Sequence, residues 1–186
     1  MTSYSAPTNA AVFVGGDRGK WIVERIAAVT GEALASVPRL DVVTGRDAPP
    51  GTWALRGVAG HARYVEAREK KLLDERSPPL GRPEATRGAL IPIKKSAAWW
   101  ALAQDERRAI FEERSKHISD SLAWLPRVAR RLYHSRDLGE PFDFLTWFEY
   151  APEHDAAFDE LLAMLRSREE WRYVEREVEV RVRREA

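Results

Sequence analysis

The run FDFLTWFEY, residues 142–150, is the feature that most limits what this chain can fold into. Its nine residues are dominated by aromatic side chains, which suit a pleated, packed strand far better than a helix. Leu138-Gly139 and Pro141 turn the chain just before it. Alternation along the strand puts Thr146 and Phe148 on one face. The rest of the second half can be read outward from this strand. Ala89 to Ile93 is apolar enough for a strand, and Val128 to His134 is another. The spacing of Ile110, Phe111, Ile118 and Leu122 predicts a helix over Asp105 to Leu122, and that of Phe158, Leu161, Leu162 and Leu165 a helix over Asp155 to Trp171. Val178, Val180 and Val182 alternate with charges in a last strand. The order strand, helix, strand, strand, helix, strand is the split βαβ plan of ferredoxin-like α+β folds.

The first half repeats this theme in shortened form. After a tail over residues 1–9, Ala11 to Val14 reads as a strand ending at Gly15-Gly16. Lys20 to Val29 reads as a short helix, Arg39 to Val43 as a weak strand and Asp47 to Gly51 as a turn. Trp53 to Ala62 is a better strand that leads into a charged helix over Glu66 to Glu75. The Pro- and Gly-rich stretch Ser77 to Arg87 is loop and marks the internal boundary. The expected organisation is a shortened ferredoxin-like module over residues 1–80 and a second over 81–186, sharing a sheet or barrel.

Composition narrows the chemistry. Charged residues make up 32% of the chain but nearly cancel to a net +1, so no overall field favours nucleic acid or an anionic membrane. No apolar run reaches the roughly 20 residues of a membrane span, and MTSYSAPTNA lacks the pattern of a signal peptide, so a cytoplasmic protein is expected. With no cysteine, thiolate metal sites, iron–sulfur clusters and thiol nucleophiles are excluded, and any metal must be held by histidine, carboxylate or tyrosine.

Two residues stand out against that background. In Val128 to His134, alternation groups Val128, Arg130, Leu132 and His134 on one face, so Arg130 shares a face with aliphatics. A guanidinium is costly to bury without an anion to meet it, although a structural ion pair or an edge arginine reaching water would also satisfy the pattern. Of the four histidines, His61 and His134 lie near strand ends and His154 in a loop at a helix start; none forms a zinc spacing. His117, seven residues after Ile110, comes round to the apolar border of its helix. A lone histidine there is usually a core residue, but one proximal histidine is enough to hold haem. Such a ligand needs an acceptor for its second ring nitrogen, and Glu169 and Glu170 are available. Trp99 and Trp100 suit an ordinary core equally well.

Taken together, KKSAAWW at 94–100, His117, LPRVARRLYHSRDLG at 125–139 and DFLTWFEY at 143–150 resemble the chlorite dismutase family. The resemblance runs over residues 53–182, and the short N-terminal part is similar to the compact lineage whose members are homodimers. It implies ferredoxin-like modules forming a dimeric α+β barrel, a haem b iron, and conversion of chlorite to chloride and dioxygen through a ferryl and hypochlorite intermediate. On the same basis His117 is the expected iron ligand, Glu170 its hydrogen-bond partner and Lys95 the support of Glu170, with Glu169 and Lys94 as adjacent alternatives. Trp99 and Trp100 are expected beside the haem. Arg130 is the expected distal residue, with Leu132, Thr146 and Phe148 lining its pocket. Arg63 and Tyr64 are candidate propionate partners. Other readings are a coproheme decarboxylase of the same superfamily, which typically lacks a distal arginine, a haem-binding module without turnover, and a structural dimer without cofactor.

Overall fold

A computed structural model describes residues 9–60 and 66–185. His61, Arg63 and Tyr64 lie outside the described residues. In chain order the strands and helices are β1 (Ala10–Gly16), β2 (Trp21–Thr30), β3 (Arg39–Thr44), β4 (Trp53–Val58), α1 (Ala67–Arg76), β5 (Arg87–Lys95), α2 (Ala97–Ala101), α3 (Gln104–Arg108), α4 (His117–Ser121), β6 (Val128–His134), β7 (Phe144–Tyr150), α5 (Asp155–Arg166) and β8 (Val174–Arg183). A π-helical turn, Ala109–Arg114, follows α3, and a 3-10 turn, Glu169–Tyr173, precedes β8. None of the described helices is long and apolar enough to cross a membrane.

The strands close into one barrel in the order β1-β3-β2-β8-β5-β7-β6-β4, with neighbours antiparallel. The class is α+β, as expected, but the architecture is a closed barrel rather than ferredoxin-like sheets, because β2–β8 and β4–β6 join the two halves edge to edge. Among the described residues the β4–β6 junction rests on one register pair, Val58 with His134.

The segment expected as a helix over Lys20 to Val29 is instead strand β2, Trp21–Thr30. Its Ile, Val and Thr residues favour the pleat, and register shifts at Val23/Arg25 and Ala28/Thr30 show two irregularities in its pairing with β8. Those irregularities break the two-residue alternation and leave an apolar spacing that imitates a helix. The expected helix over Asp105 to Leu122 is also interrupted. Ser115 N–H bonds back to the Ile110 carbonyl at 3.1 Å, a five-residue span that widens the turn, and Lys116 then takes left-handed φ 50°. The helix expected over Asp155 to Trp171 stops at Arg166.

Alternation sorts β5, β6, β7 and β8 between two cores, while the first four strands contribute to the inner one. Phe13, Trp21, Leu40, Leu55, Leu90, Tyr133, Leu145, Trp147 and Val180 fill the barrel. On the outside, Ala89, Ile91, Phe148 and Tyr150 pack under Phe158, Leu161, Leu162 and Leu165 of α5. FLTWFEY thus serves both cores, with Leu145 and Trp147 inward and Phe148 and Tyr150 outward, which is why aromatics occupy both of its faces. The space left between the outer face of β5, β7 and β6 and the helices is where the chemistry-bearing residues meet.

Candidate active site

His117 is the first residue of α4, and the break before it is what aims it. The buried Glu112 carboxylate accepts the Ile118 N–H at 2.6 Å and the Ser119 N–H at 3.1 Å, capping two amides that the broken helix would otherwise leave without partners. With α4 fixed in this way, the His117 ring reaches Glu170 on the 3-10 turn, with Nδ1 at 2.7 Å from Oε2. Lys95, at the end of β5, places Nζ at 2.7 Å from the other oxygen of Glu170. The Lys95 and Glu170 side chains are only 4% and 6% exposed, so the pair is shielded from water.

Burial by itself would push the Glu170 carboxyl up. The neighbouring Lys95 charge and the bonds from His117 and Lys95 outweigh it and hold the group down at about 2. Glu170 is therefore an ionised carboxylate that can only accept, and Nδ1 must donate. That leaves the Nε2 lone pair free to bind a metal. Ser115 Oγ accepts the Glu170 backbone N–H at 3.0 Å and anchors the main chain that carries the carboxylate. Lys95 Nζ also lies 4.5 Å from the centre of the Trp99 ring, over its face.

The adjacent alternatives point elsewhere. Glu169 pairs with Arg114 at 3.0 Å and Lys94 with Glu175 at 3.4 Å, both towards solvent.

A cavity of about 540 Å³ lies in front of His117. His117, Glu170, Lys95 and Trp99 line it from one side, and Arg130, Leu132, Thr146 and Phe148 from the sheet. Thr146 opposes Leu132 and Phe148 opposes Arg130 across the β6–β7 ladder, so these four side chains form one patch of wall. Trp100 does not line the cavity: its indole N–H donates to Asp143 at 3.1 Å and its ring stacks on Phe144. Asp143 also accepts the Lys95 amide at 2.7 Å, so Trp100 belongs to the bracing of Lys95.

Arg130 is the electrostatic exception in this wall. Among the described residues no carboxylate or hydrogen-bond acceptor meets its guanidinium, and burial pushes its pKa below the ordinary arginine value. A half-buried cation in an apolar wall, unpaired among the described residues, has the chemistry to receive a small anion.

The residues present fit a haem group. One imidazole has its second nitrogen tied to a carboxylate, the cavity is large and mostly apolar, and the described residues hold no cluster of three or more metal-ligating side chains of another kind. Glu112 and Ser115, which brace this relay, and Trp171, whose ring lies beside it, were not marked by any sequence pattern. Trp171 directly follows Glu170 and was open to notice, whereas Glu112 becomes meaningful only once the helix is known to break.

Comparison with known proteins identifies the family. The chlorite dismutase family model matches residues 43–185, well over half of the chain. The structure resembles that of a dimeric chlorite dismutase from Nitrobacter winogradskyi with a TM-score of 0.89 and 57% identity, over 94% of this chain and 99% of that one. A chlorite dismutase from Candidatus Nitrospira defluvii in complex with imidazole is 29% identical with a TM-score of 0.57, and the match takes in 77% of this chain and 56% of that one. The curated chlorite dismutase of Ideonella dechloratans is 42% identical over 60 residues, 32% of this chain and 20% of that protein. A match of this extent, on a barrel that brings a carboxylate-tethered histidine and an unpaired arginine to one cavity, places the chain in the chlorite dismutase family.

Proposed function

We propose that the chain binds haem b through His117 and converts chlorite to chloride and dioxygen. When bound, haem supplies the iron to which chlorite gives up an oxygen atom. The chain's own residues do the rest. Glu170 accepts the Nδ1 proton of His117, fixes the tautomer and makes Nε2 a stronger donor; Lys95 keeps Glu170 ionised and in place. Trp99 and Phe111 close the apolar space around the imidazole.

Arg130 has two tasks across the cavity. Its uncompensated charge draws the chlorite anion into an apolar space, and its N–H groups then hold the chlorine-containing anion close until the second oxygen has been transferred. Leu132, Thr146 and Phe148 confine that anion sterically. The observation that carries the proposal is the half-buried Arg130 guanidinium, without a carboxylate partner among the described residues, on the same cavity as the histidine–carboxylate–lysine relay. The same charge disfavours the coproheme decarboxylase reading.

Assembly as a homodimer is part of the proposal, supported by the dimeric relative at 57% identity. So is the division of the chain into residues 1–80 and a haem-binding unit over 81–186, each contributing four strands derived from a ferredoxin-like plan.

Titration of the apoprotein with haem tests the ligand assignment. A Soret band that saturates at one haem per chain is expected, and His117→Ala should lose stable binding. Unchanged haem occupancy in that variant would remove His117 from the proposal.

A further inference from the structure

Among the described carboxylates Glu177 is the most deeply buried, at 0% exposure, and the site as described gives it no task. It sits on β8, where alternation turns Val178 and Val180 into the barrel and Glu177 and Glu179 outward beneath the end of α5. Both of its oxygens are engaged. Oε1 accepts from Arg166 Nε at 2.9 Å and Nη2 at 2.7 Å, and Oε2 accepts the indole N–H of Trp171 at 2.8 Å. Arg166 Nη2 also donates to Glu179 Oε2 at 2.7 Å, so the carboxylate that holds the indole is itself anchored twice over.

An ion pair this buried is a poor source of stability, since apolar groups of similar volume often serve as well or better. What it does provide is direction: an indole whose N–H is held cannot rotate in its pocket without leaving a buried donor unsatisfied. The ring held in this way faces the site. Trp171 lies 6.2 Å from the His117 imidazole, centroid to centroid, with the planes 26° apart, and its ring is 5.5 Å from Lys95 Nζ. Phe111 lies at 4.4 Å with its plane 28° from that of the imidazole. The Glu170 bond pins one atom of the imidazole, but the ring can still swivel about that atom through coupled side-chain rotations. Flat rings held nearly parallel to it restrict the swivel.

We propose that Trp171 and Glu177 are positioning residues that set the plane of the His117 ring, the indole acting as a wall and the buried carboxylate as the lock on that wall. This rests on the reading of His117 as the iron ligand.

Trp171→Phe removes the donor while keeping an aromatic ring, and Glu177→Gln leaves Arg166 and Trp171 competing for one oxygen. In the apoprotein, with selectively labelled histidine, exchange of the His117 Nδ1 proton with water should be at least about fivefold faster in either variant, the scale of one lost hydrogen bond. In the haem-bound ferrous protein the iron–histidine stretching band should shift or broaden. If either variant fails to fold, the other carries the test. A lowered melting temperature with unchanged proton exchange and an unchanged iron–histidine band would overturn the proposal and reduce both residues to packing. If the wild type takes up no haem, the ligand reading falls, while the exchange measurement on the apoprotein still decides the positioning of His117.

Discussion

At the scale of single residues, Arg130 is the group whose burial most needs a purpose. A guanidinium packed against aliphatic and aromatic side chains without a carboxylate lowers the stability of the empty protein. Replacing it with leucine is therefore expected to raise the unfolding free energy of the apoprotein by about 1 kcal/mol, read by urea denaturation. Arg130→Gln, with haem bound, should consume less chlorite before the enzyme inactivates itself; equal durability would separate Arg130 from retention of the anion. Glu170 makes the opposite kind of contribution. Its pKa falls from 4.5 to about 2 on folding, so the stability it adds is fully present above 4.5 and is lost as pH drops towards 2. That shift corresponds to about 3 kcal/mol at neutral pH. In an acid titration the stability gap between wild type and Glu170→Gln should narrow steadily through this window and close at its lower end. At this scale much was legible in the sequence. Strand alternation alone grouped Arg130 with Leu132, and Thr146 with Phe148, because a strand of known phase assigns faces with little ambiguity. The choice of Glu170 over Glu169 rested on the family resemblance alone, since on a 3-10 turn adjacent residues diverge in a direction that neither helical nor strand periodicity fixes.

At the scale of elements, the interruption before α4 matters most. Lys116 holds a left-handed conformation that disfavours a Cβ, and Lys116→Gly should stabilise the fold by about 1 kcal/mol in chemical denaturation. Glu112→Ala removes the acceptor for the first amides of α4 and should cost about 1–2 kcal/mol, with a weakened haem affinity in the same titration because His117 begins that helix. Full haem affinity in Glu112→Ala would show that the cap does not aim the histidine. The interruption was hidden in the sequence because Ile110, Phe111 and Ile118 keep a plausible helical spacing across a turn that is wider than an α-helix. β2 was hidden for the complementary reason: irregular pairing spoiled its alternation. Elements with regular pairing, β6 and β7, were read at nearly their true positions.

At the scale of the whole molecule, closing the barrel within one chain creates two separate cores. One fills the lumen. The other lies between the sheet and α5, and the cavity continues it towards α4. The candidate site residues on β5, β6, β7, α4 and the 3-10 turn all line this cavity, so the proposed site depends on the outer core being rigid. The α+β class and the strand–helix order of the second half were visible in hydrophobic periodicity, whereas closure depends on β2–β8 and β4–β6 pairings between segments distant in sequence, which local pattern does not specify. The near-neutral net charge likewise conceals the local field at Arg130. At all three scales His117, which would hold haem, and Arg130, which would hold the anion, meet in one cavity. The most direct measurement is dioxygen release by the haem-bound protein on addition of chlorite, followed at an oxygen electrode with chloride determined in parallel. One dioxygen and one chloride are expected for each chlorite consumed; a protein that binds haem through His117 yet releases no dioxygen from chlorite would refute the proposed reaction.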